Sequence, residues 1–308
     1  MTLDLIPLGT ASAIPARGRH LSACVLARQG RLLLFDCGEG TQFQLARAGL
    51  KSTHLDAVFI THLHGDHLYG LPGLISTLAL LEREAPLALV GPAGTEAFVR
   101  ALPGLDGGRP GFPIRFTELD EAFGGGRVYE TDAFTVEARP VDHRVFTVGY
   151  RFAERTRPGS LDVEKARALG VTDWRHYRAL KAGEAVVLGD GRTVAPEAVV
   201  GPPRPGLVVA YVTDTRPCAG GVALAAGADL LYHEATFTEQ HHERAVATGH
   251  STAREAAEVA RRAGAERLLI GHFSARYPDP APLVAEARAV FQNTEAADEL
   301  NRYVLRGA

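Results

Sequence analysis

Three imidazoles and one carboxylate lie within six consecutive residues of the chain, at His62, His64, Asp66 and His67. Burying four such groups is costly unless something satisfies them, and a divalent cation does so. In an extended segment His62 and His64 project to the same side, and the turn that follows can aim Asp66 and His67 at a second point nearby. The spacing therefore predicts a site for two metal ions. The alternative is a polar loop exposed to solvent.

Two apolar segments flank this cluster and should position it. Residues 57–60, before it, are β-branched and aromatic like a buried strand, and residues 75–81, after it, are apolar and helix-prone. The cluster should therefore occupy a loop at the C-terminal end of a strand. In α/β sheets this is where ligand sites are found.

Further titratable residues also follow strand-like runs, which predicts that they meet the cluster. These residues are His143, Asp214, Glu234 and His272. A histidine at the end of a buried strand is more often a satisfied core residue, but the cluster upstream favours a metal ligand at His143. The two oxygens of Asp214 suit a carboxylate that bridges two ions. Asp36 lies in a glycine-rich turn at another strand end, and we expect it to orient a ligand histidine rather than to bind metal.

With 308 residues and 46% hydrophobic content, the chain can bury one large core or two fused halves, and one compact catalytic unit is favoured. The three cysteines show no metal-binding spacing, which predicts reduced thiols in a reducing compartment. We expect a cytoplasmic protein without membrane contact, because the N-terminus lacks a basic stretch followed by a long apolar one and no run approaches the length of a membrane span.

The segment 155–206 differs from the rest of the chain and is predicted to be an insertion. It has few long apolar runs, and Pro and Gly punctuate both of its ends. Residues 151–181 carry a net charge of +4, although the whole chain carries −3. The only tryptophan, Trp174, lies beside Arg175 and close to Arg178, a grouping that can meet RNA backbone or bases. The alternative is an ordinary solvated helix face.

A small-residue loop near the N-terminus carries Arg17 and Arg19 and could hold a nucleotide phosphate near the site. A flexible turn is the alternative. Later in the chain, His250 directly precedes a helix that is predicted to begin at Ser251 or Thr252 and to run to about residue 263. His250 is a candidate proton donor, with Glu234 orienting it, or else a structural residue at the helix N-terminus.

Several segments together carry a resemblance to a known family. The first, 62–67, is similar to the signature of the metallo-β-lactamase superfamily, and the others narrow the resemblance to tRNase Z in its short form, the tRNA 3′-processing endonuclease. These other segments are Phe35-Asp36-Cys37-Gly38-Glu39-Gly40-Thr41-Gln42, Gly70-Leu71-Pro72-Gly73-Leu74, Thr213-Asp214-Thr215-Arg216, His233-Glu234-Ala235-Thr236-Phe237, Gly249-His250-Ser251-Thr252 and His272-Phe273-Ser274-Ala275-Arg276-Tyr277.

The resemblance implies a fold, a metal site and partners. The fold would be α/β, an αβ/βα four-layer sandwich formed by residues 1–308, with a protruding tRNA-binding arm inserted at 155–206. His62, His64 and His143 would hold one Zn²⁺, Asp66, His67 and His272 a second, and Asp214 would bridge them, with Mn²⁺, Fe²⁺ or Co²⁺ as alternatives. The protein would be a homodimer and would bind precursor tRNA through Arg17, Arg19, Trp174, Arg175, Arg178, Ser274 and Arg276.

The predicted reaction is the hydrolysis of one phosphodiester by two metal ions, leaving a 3′-hydroxyl on the tRNA and a 5′-phosphate on the trailer. Asp66, His250 and Glu234 are the candidate catalytic side chains. Two other functions remain open from the sequence. One is a phosphodiesterase of small substrates such as cyclic nucleotides on the same scaffold, and the other is a non-catalytic RNA-binding protein.

Overall fold

The structure is a computed structural model and describes residues 2–16, 18–102 and 111–307. Arg17, one of the predicted substrate contacts, lies outside the described residues. The chain divides into two compact units. The first comprises the residues up to Ala153 together with Leu207–Arg306, and the second comprises Glu154–Gly206.

The described residues form sixteen strands, ten α-helices and three short 3₁₀ helices. The strands are β1 (Thr2–Gly9), β2 (Ala23–Arg28), β3 (Arg31–Phe35), β4 (Leu55–Phe59), β5 (Leu87–Pro92), β6 (Ile114–Leu119), β7 (Gly126–Glu130), β8 (Phe134–Val141), β9 (Thr147–Glu154), β10 (Val186–Val187), β11 (Thr193–Val194), β12 (Val208–Val212), β13 (Leu230–Glu234), β14 (Leu268–Gly271), β15 (Thr294–Ala296) and β16 (Tyr303–Arg306). The α-helices are α1 (Thr41–Arg47), α2 (Gly65–Leu68), α3 (Leu71–Leu80), α4 (Thr95–Arg100), α5 (Val163–Ala168), α6 (Trp174–Lys181), α7 (Ala219–Ala225), α8 (His242–Thr248), α9 (Ala253–Ala263) and α10 (Ala281–Arg288). The 3₁₀ helices are Ser52–His54, Pro196–Ala198 and Glu239–His241.

The first unit contains two seven-stranded mixed sheets. The spatial order is β16-β1-β2-β3-β4-β5-β6 in the first sheet and β15-β14-β13-β12-β9-β8-β7 in the second. Strands β3 to β6 are parallel to one another in the first sheet, as are β12 to β15 in the second. Parallel strands need covered faces and bring their carboxyl ends to one edge, so each sheet presents a row of loops there.

The core of the first unit lies in three layers of apolar contact. Between the sheets, Phe35 and Phe59 stack on each other at 5.2 Å and meet Tyr150 and Tyr211 of the second sheet. The outer face of the first sheet packs against α1 and α3, and the outer face of the second packs against α7, α9 and α10. The order helix, sheet, sheet, helix confirms the predicted αβ/βα sandwich.

The second unit has its own small core. Apolar residues of α5, α6, β10 and β11 form a buried cluster that includes Ala166, Leu180, Val186 and Val194. Asp162 and Asp173 cap α5 and α6 by accepting from the backbone amides of Lys165 and Arg175. Because this cluster is separate from the three layers of the first unit, the arm is a packed module rather than a loop.

Candidate metal centre and active site

The predicted metal ligands all follow strand ends of the two sheets. His62 and His64 follow β4 of the first sheet, and Asp66 and His67 lie in the short helix α2. His143, Asp214 and His272 follow β8, β12 and β14 of the second sheet. The sandwich therefore brings both rows of loops to one place.

These side chains form two groups whose donor atoms lie within 4.8 Å of one another. We call His62, His64 and His143 the first group, and Asp66, His67 and His272 the second group, following the division that the family resemblance implies. Asp214 faces both. Its Oδ2 lies 3.5 Å from Nε2 of His62, and its Oδ1 lies 3.3 Å from Nε2 of His67 and 3.0 Å from Nε2 of His272.

Hydrogen bonds fix how the imidazoles point. Nδ1 of His67 donates to Oδ2 of Asp36 at 2.8 Å, and Nδ1 of His143 donates to the carbonyl of Gly249 at 2.7 Å. Nδ1 of His62 and of His272 meet the hydroxyls of Thr61 and Thr236 at 3.0 Å. In each ring Nε2 is left to face the centre, which is the tautomer that binds a metal.

The buried ring nitrogens also show that the site fits a cation. Nε2 of His143 is buried and has no hydrogen-bond partner among the described residues, and Nε2 of His67 and of His272 meet only the Asp214 carboxylate and, at longer distance, Asp66. A buried imidazole nitrogen without a partner is costly, whereas a divalent ion accepts its lone pair. Five imidazoles and two carboxylates are donors that suit Zn²⁺ and other first-row divalent ions.

The two groups differ in charge. Burial lowers the pKa of His62 well below its ordinary value, and burial also lowers the pKa of His64 and His143. These rings are therefore neutral, as metal ligands must be. In the second group, burial opposes charge on His272, but the Asp214 carboxylate more than offsets it and raises the pKa of His272 to about 10. A divalent cation would replace the proton that the carboxylates hold there.

His250 lies beside the second group, with a nitrogen close to Asp214 and His272. Its Nδ1 donates to Oε1 of the fully buried Glu234 at 2.8 Å. Burial disfavours charge on His250, but Glu234 outweighs this effect, so the pKa of His250 is raised. The helix cap is a different residue, Thr252, which forms a capping box with Glu255. His250 is therefore free for chemistry rather than needed as a cap.

Comparison with known proteins identifies the family of this chain. Residues 189–273 match a family model described as a beta-lactamase superfamily domain, and residues 3–97 match one described as anti-Pycsar protein Apyc1. The ribonuclease Z of Salinibacter ruber is 60% identical over 99% of this chain and 95% of its own length. The chain belongs to the ribonuclease Z family. The ribonuclease Z of Haloferax volcanii is 47% identical over 94% of this chain and 91% of its own length.

A solved structure agrees with the family. The short form of human tRNase Z is 28% identical, has a TM-score of 0.70 and covers 98% of both chains. The predictions of the family, of its fold and of an RNA hydrolase are confirmed. Use of a divalent metal follows from the fold and the histidine and aspartate cluster. No helix among the described residues is both long and apolar enough to cross a membrane.

The predicted substrate residues that the structure describes lie in two places. Ser274 and Arg276 line a cavity of about 510 Å³ that also contacts His250 and carries Arg144 and Arg244. Arg19 stacks on Phe273 at 4.9 Å and donates to the carbonyl of Tyr277. Trp174, Arg175 and Arg178 lie on α6 of the second unit, where Trp174 is 64% exposed and Arg175 stacks on it.

Sequence reasoning missed several polar residues that hold the ligands. Thr61 and Thr236 bind ligand rings, and Tyr211 donates to Asp36 from the other sheet at 3.1 Å. Glu299, near the C-terminus, accepts from the amides of Thr10 and His20 and so ties down the N-terminal loop. Thr61 and Thr236 could have been predicted, because both lie next to strand ends. No local sequence pattern indicated a role for Tyr211 or Glu299.

Proposed function

We propose that this protein removes the 3′ trailer from precursor tRNA by hydrolysing one phosphodiester, leaving a 3′-hydroxyl on the tRNA and a 5′-phosphate on the trailer. The observation that carries the proposal is the convergence of the two groups on Asp214 in a chain of the ribonuclease Z family. A phosphodiesterase of small substrates would have no use for a basic arm. A non-catalytic RNA-binding protein would have no need for every one of these ligands.

The two groups would hold two Zn²⁺ ions per subunit, with Asp214 bridging them; Mn²⁺, Fe²⁺ or Co²⁺ would suit the same donors. When bound, the ions lower the pKa of water and neutralise the charge that develops on the phosphate. Asp66 is positioned by the amide of Ala13, which donates to its Oδ2 at 2.9 Å. Its carboxylate would orient the attacking water at the edge of the second group.

His250 would protonate the oxygen that leaves with the tRNA 3′ end. Its Nδ1 is engaged by Glu234, so Nε2 is the atom that can donate. The raised pKa favours the protonated ring, which is the form that an acid requires. Glu234 is held in turn by the amide of Thr215 at 2.8 Å and by the hydroxyl of Thr236 at 2.6 Å. The pair is therefore fixed relative to the metal ligands.

Positive charge supports the tRNA assignment. Arg144, Arg244 and Arg276 line the cavity next to His250, where they could neutralise phosphates of the acceptor end. In the second unit, the basic helix α6 presents Trp174 and Arg175 to solvent for contact with RNA. These contacts would provide affinity, and the metal groups would provide the reaction.

The protein would act as a homodimer in the cytoplasm. Phe43 on α1 is 66% exposed and Leu80 at the end of α3 is 84% exposed, and an interface between two copies would cover such side chains. The three cysteines are free, as in a reducing compartment. Sedimentation equilibrium of wild type and of a Phe43→Glu, Leu80→Glu variant tests the dimer; a monomeric wild type would contradict it.

The decisive experiment incubates metal-loaded protein with an end-labelled precursor tRNA. Cleavage should release a trailer with a 5′-phosphate, and His64→Ala should abolish it. A second variant replaces residues 158–203 with a short Gly-Ser turn, which keeps the backbone pairing of Arg157 with Arg204 at the base of the arm. This variant should lose precursor cleavage but keep turnover of a small chromogenic diester. Wild type that turns over only the diester, or that binds tRNA without cleaving it, would contradict the proposal.

A further inference from the structure

One carboxylate holds both ends of the N-terminal loop, residues 10–20. Oε1 of Glu299 accepts from the backbone amide of Thr10 at 3.0 Å and from that of His20 at 2.8 Å. Its Oε2 lies 2.9 Å from Nδ1 of His20 and accepts from Nε2 of Gln44 at 3.2 Å. Only 13% of the Glu299 side chain is exposed. Because hydrogen bonds from amides to a carboxylate are strong, these contacts fix where the loop begins and ends.

The middle of the loop reaches the second metal group. The amide of Ala13 donates to Oδ2 of Asp66 at 2.9 Å. The same oxygen lies 3.5 Å from Nε2 of His67 and 3.8 Å from Nε2 of His272, so it is an oxygen that faces the other two ligands. A hydrogen bond to a ligand carboxylate fixes the direction of that carboxylate. The amide of Ala13 therefore orients Asp66 within the group.

Ala13 makes this contact in a conformation that alanine rarely adopts. Its φ is 64°, in the left-handed region, where the Cβ of a residue other than glycine is crowded. Such a conformation persists only when the surrounding contacts stabilise it. The neighbouring amide of Ser12 donates to the carbonyl of Phe273 at 3.1 Å, and Glu299 holds the two ends of the loop. The conformation of Ala13 therefore depends on contacts that are distant in the sequence.

We infer that Glu299 is a positioning residue for the metal centre, because by holding both ends of the loop it keeps the amide of Ala13 directed at Asp66. The inference rests on the part of the proposed function in which Asp66 is a ligand of the second ion. Without Glu299, Ala13 would relax to an ordinary negative φ and its amide would turn away from the carboxylate. The second group would lose the contact that orients one of its ligands, whereas the first group would keep its own contacts.

The first test measures the loop and the ions separately in Glu299→Ala. Amide hydrogen exchange of the metal-free protein should show a loss of protection in the peptide that contains Ala13. Chelator competition should show that the affinity for one ion falls by about 10- to 100-fold while the affinity for the other is unchanged. Because Ser12 and Ile14 also line the cavity at His250, a loss of tRNA cleavage alone would not identify this role.

A second substitution tests whether the effect passes through Ala13. Glycine adopts a positive φ about as readily as a negative one. Ala13→Gly should therefore restore part of the metal affinity that Glu299→Ala loses, so that the two substitutions are not additive. Ala13→Gly alone is measured beside the double variant. Additive effects would contradict a route through the conformation of Ala13 and so overturn the inference.

Two further variants separate positioning from general stability. Glu299→Gln keeps an oxygen that can accept from both loop amides, so it should retain most of the metal affinity. Asp229→Ala removes another partly buried carboxylate that accepts from a backbone amide, that of Val208 at 2.6 Å, at the opposite end of β12 from Asp214. It should lower stability without changing the affinity for either ion. Should Glu299→Ala fail to fold, Glu299→Asp, whose carboxylate is one methylene shorter, replaces it in each measurement.

The outcomes distinguish this inference from the proposed function. Equal metal affinities in wild type and Glu299→Ala, or an equal fall for both ions, would contradict the inference. A loop that loses protection while both ions stay tightly bound would do the same. Wild type that binds two ions but cleaves no precursor tRNA would contradict the proposed function and leave this inference intact. Wild type that binds fewer than two ions would overturn both.

Discussion

The first and second groups have matching numbers of ligands but are held in different ways. In the first group, the Nδ1 atoms of His62 and His143 meet a neutral hydroxyl and a backbone carbonyl. In the second group, His67 donates to the buried carboxylate of Asp36. A carboxylate partner makes an imidazole a stronger ligand, but a substitution can remove this carboxylate. A backbone carbonyl cannot be removed in this way. The second group should therefore be the more easily weakened of the two.

The largest effect is expected at Asp214, which both groups share. Asp214→Ala should lower the affinity for both ions at once and lower the rate of cleavage by more than about 100-fold. This is more than the loss of a hydrogen-bond partner of a metal ligand usually costs. Metal content after dialysis, measured by elemental analysis beside the cleavage rate, checks this. An Asp214→Ala protein that retains one ion at full occupancy would show that the two groups do not depend on a common carboxylate.

Asp36→Asn should discriminate between the groups. Asp36 accepts from Thr61, His67 and Tyr211, and it touches only the second group directly. The affinity of one ion should fall by about 10- to 100-fold while the other is retained. Chelator competition resolves the two affinities. Asp142→Asn is the matched control, because Asp142 adjoins His143 but is half exposed and paired with Arg216. If Asp36→Asn lowered the affinity for both ions equally, the two groups would not differ in how they are held.

The sequence predicted the strands that end at the site because their apolar runs are long and bounded by polar residues. The same runs placed His62, His143, Asp214 and His272 correctly at strand ends. Strand β9 and helix α7 were not indicated. The polar residues within β9 and the short, alanine- and glycine-rich α7 give a weak local pattern, and packing against the second sheet decides their structure.

Backbone geometry at the site was beyond sequence reasoning. Asp36, Asp214 and His272 each follow a strand with positive φ, at 56°, 46° and 57°. Residues other than glycine rarely adopt this conformation, and the surrounding contacts must stabilise it. Gly271 shows the same dependence on distant contacts, since a Cβ there would lie 2.0 Å from the hydroxyl of Tyr232. No local sequence pattern reports contacts of this kind.

Removing the metal should make the contrast between the groups visible as a pH dependence of stability. The pKa of His272 is raised to about 10, so its contribution is complete below the unfolded value of about 6.5 and is lost as pH rises towards 10. The pKa values of His62 and His143 are lowered, so these residues destabilise the fold as pH falls below about 6.5. Metal-free protein should therefore be most stable near neutral pH.

Urea unfolding in the presence of a chelator, repeated across the pH range, measures how the free energy of unfolding falls on the alkaline limb, above the pH of maximum stability, and on the acid limb, below it. His272→Gln should flatten the alkaline limb only, and His143→Gln the acid limb only. Metal-loaded protein should lose the alkaline limb, because the ion takes the place of the proton. A metal-free protein whose stability does not fall between pH 7 and 10 would show that the second group is not held protonated by its carboxylates.

The smallest effect is expected at the hydroxyl of Tyr211, which reaches Asp36 from the opposite sheet. Tyr211→Phe removes one hydrogen-bond donor from the Asp36 carboxylate, which keeps its bonds to Thr61 and His67. The free energy of unfolding should therefore fall by about 1–2 kcal/mol, and the affinity of the second group for its ion by less than about 10-fold. Tyr150→Phe is the matched control, since this equally buried hydroxyl donates to the carbonyl of Ile60 instead. It should cost similar stability without changing either metal affinity. If the two variants changed metal affinity equally, Tyr211 would not act on the metal site through Asp36. The difference between the two groups would then have to come from Asp66 and Thr236.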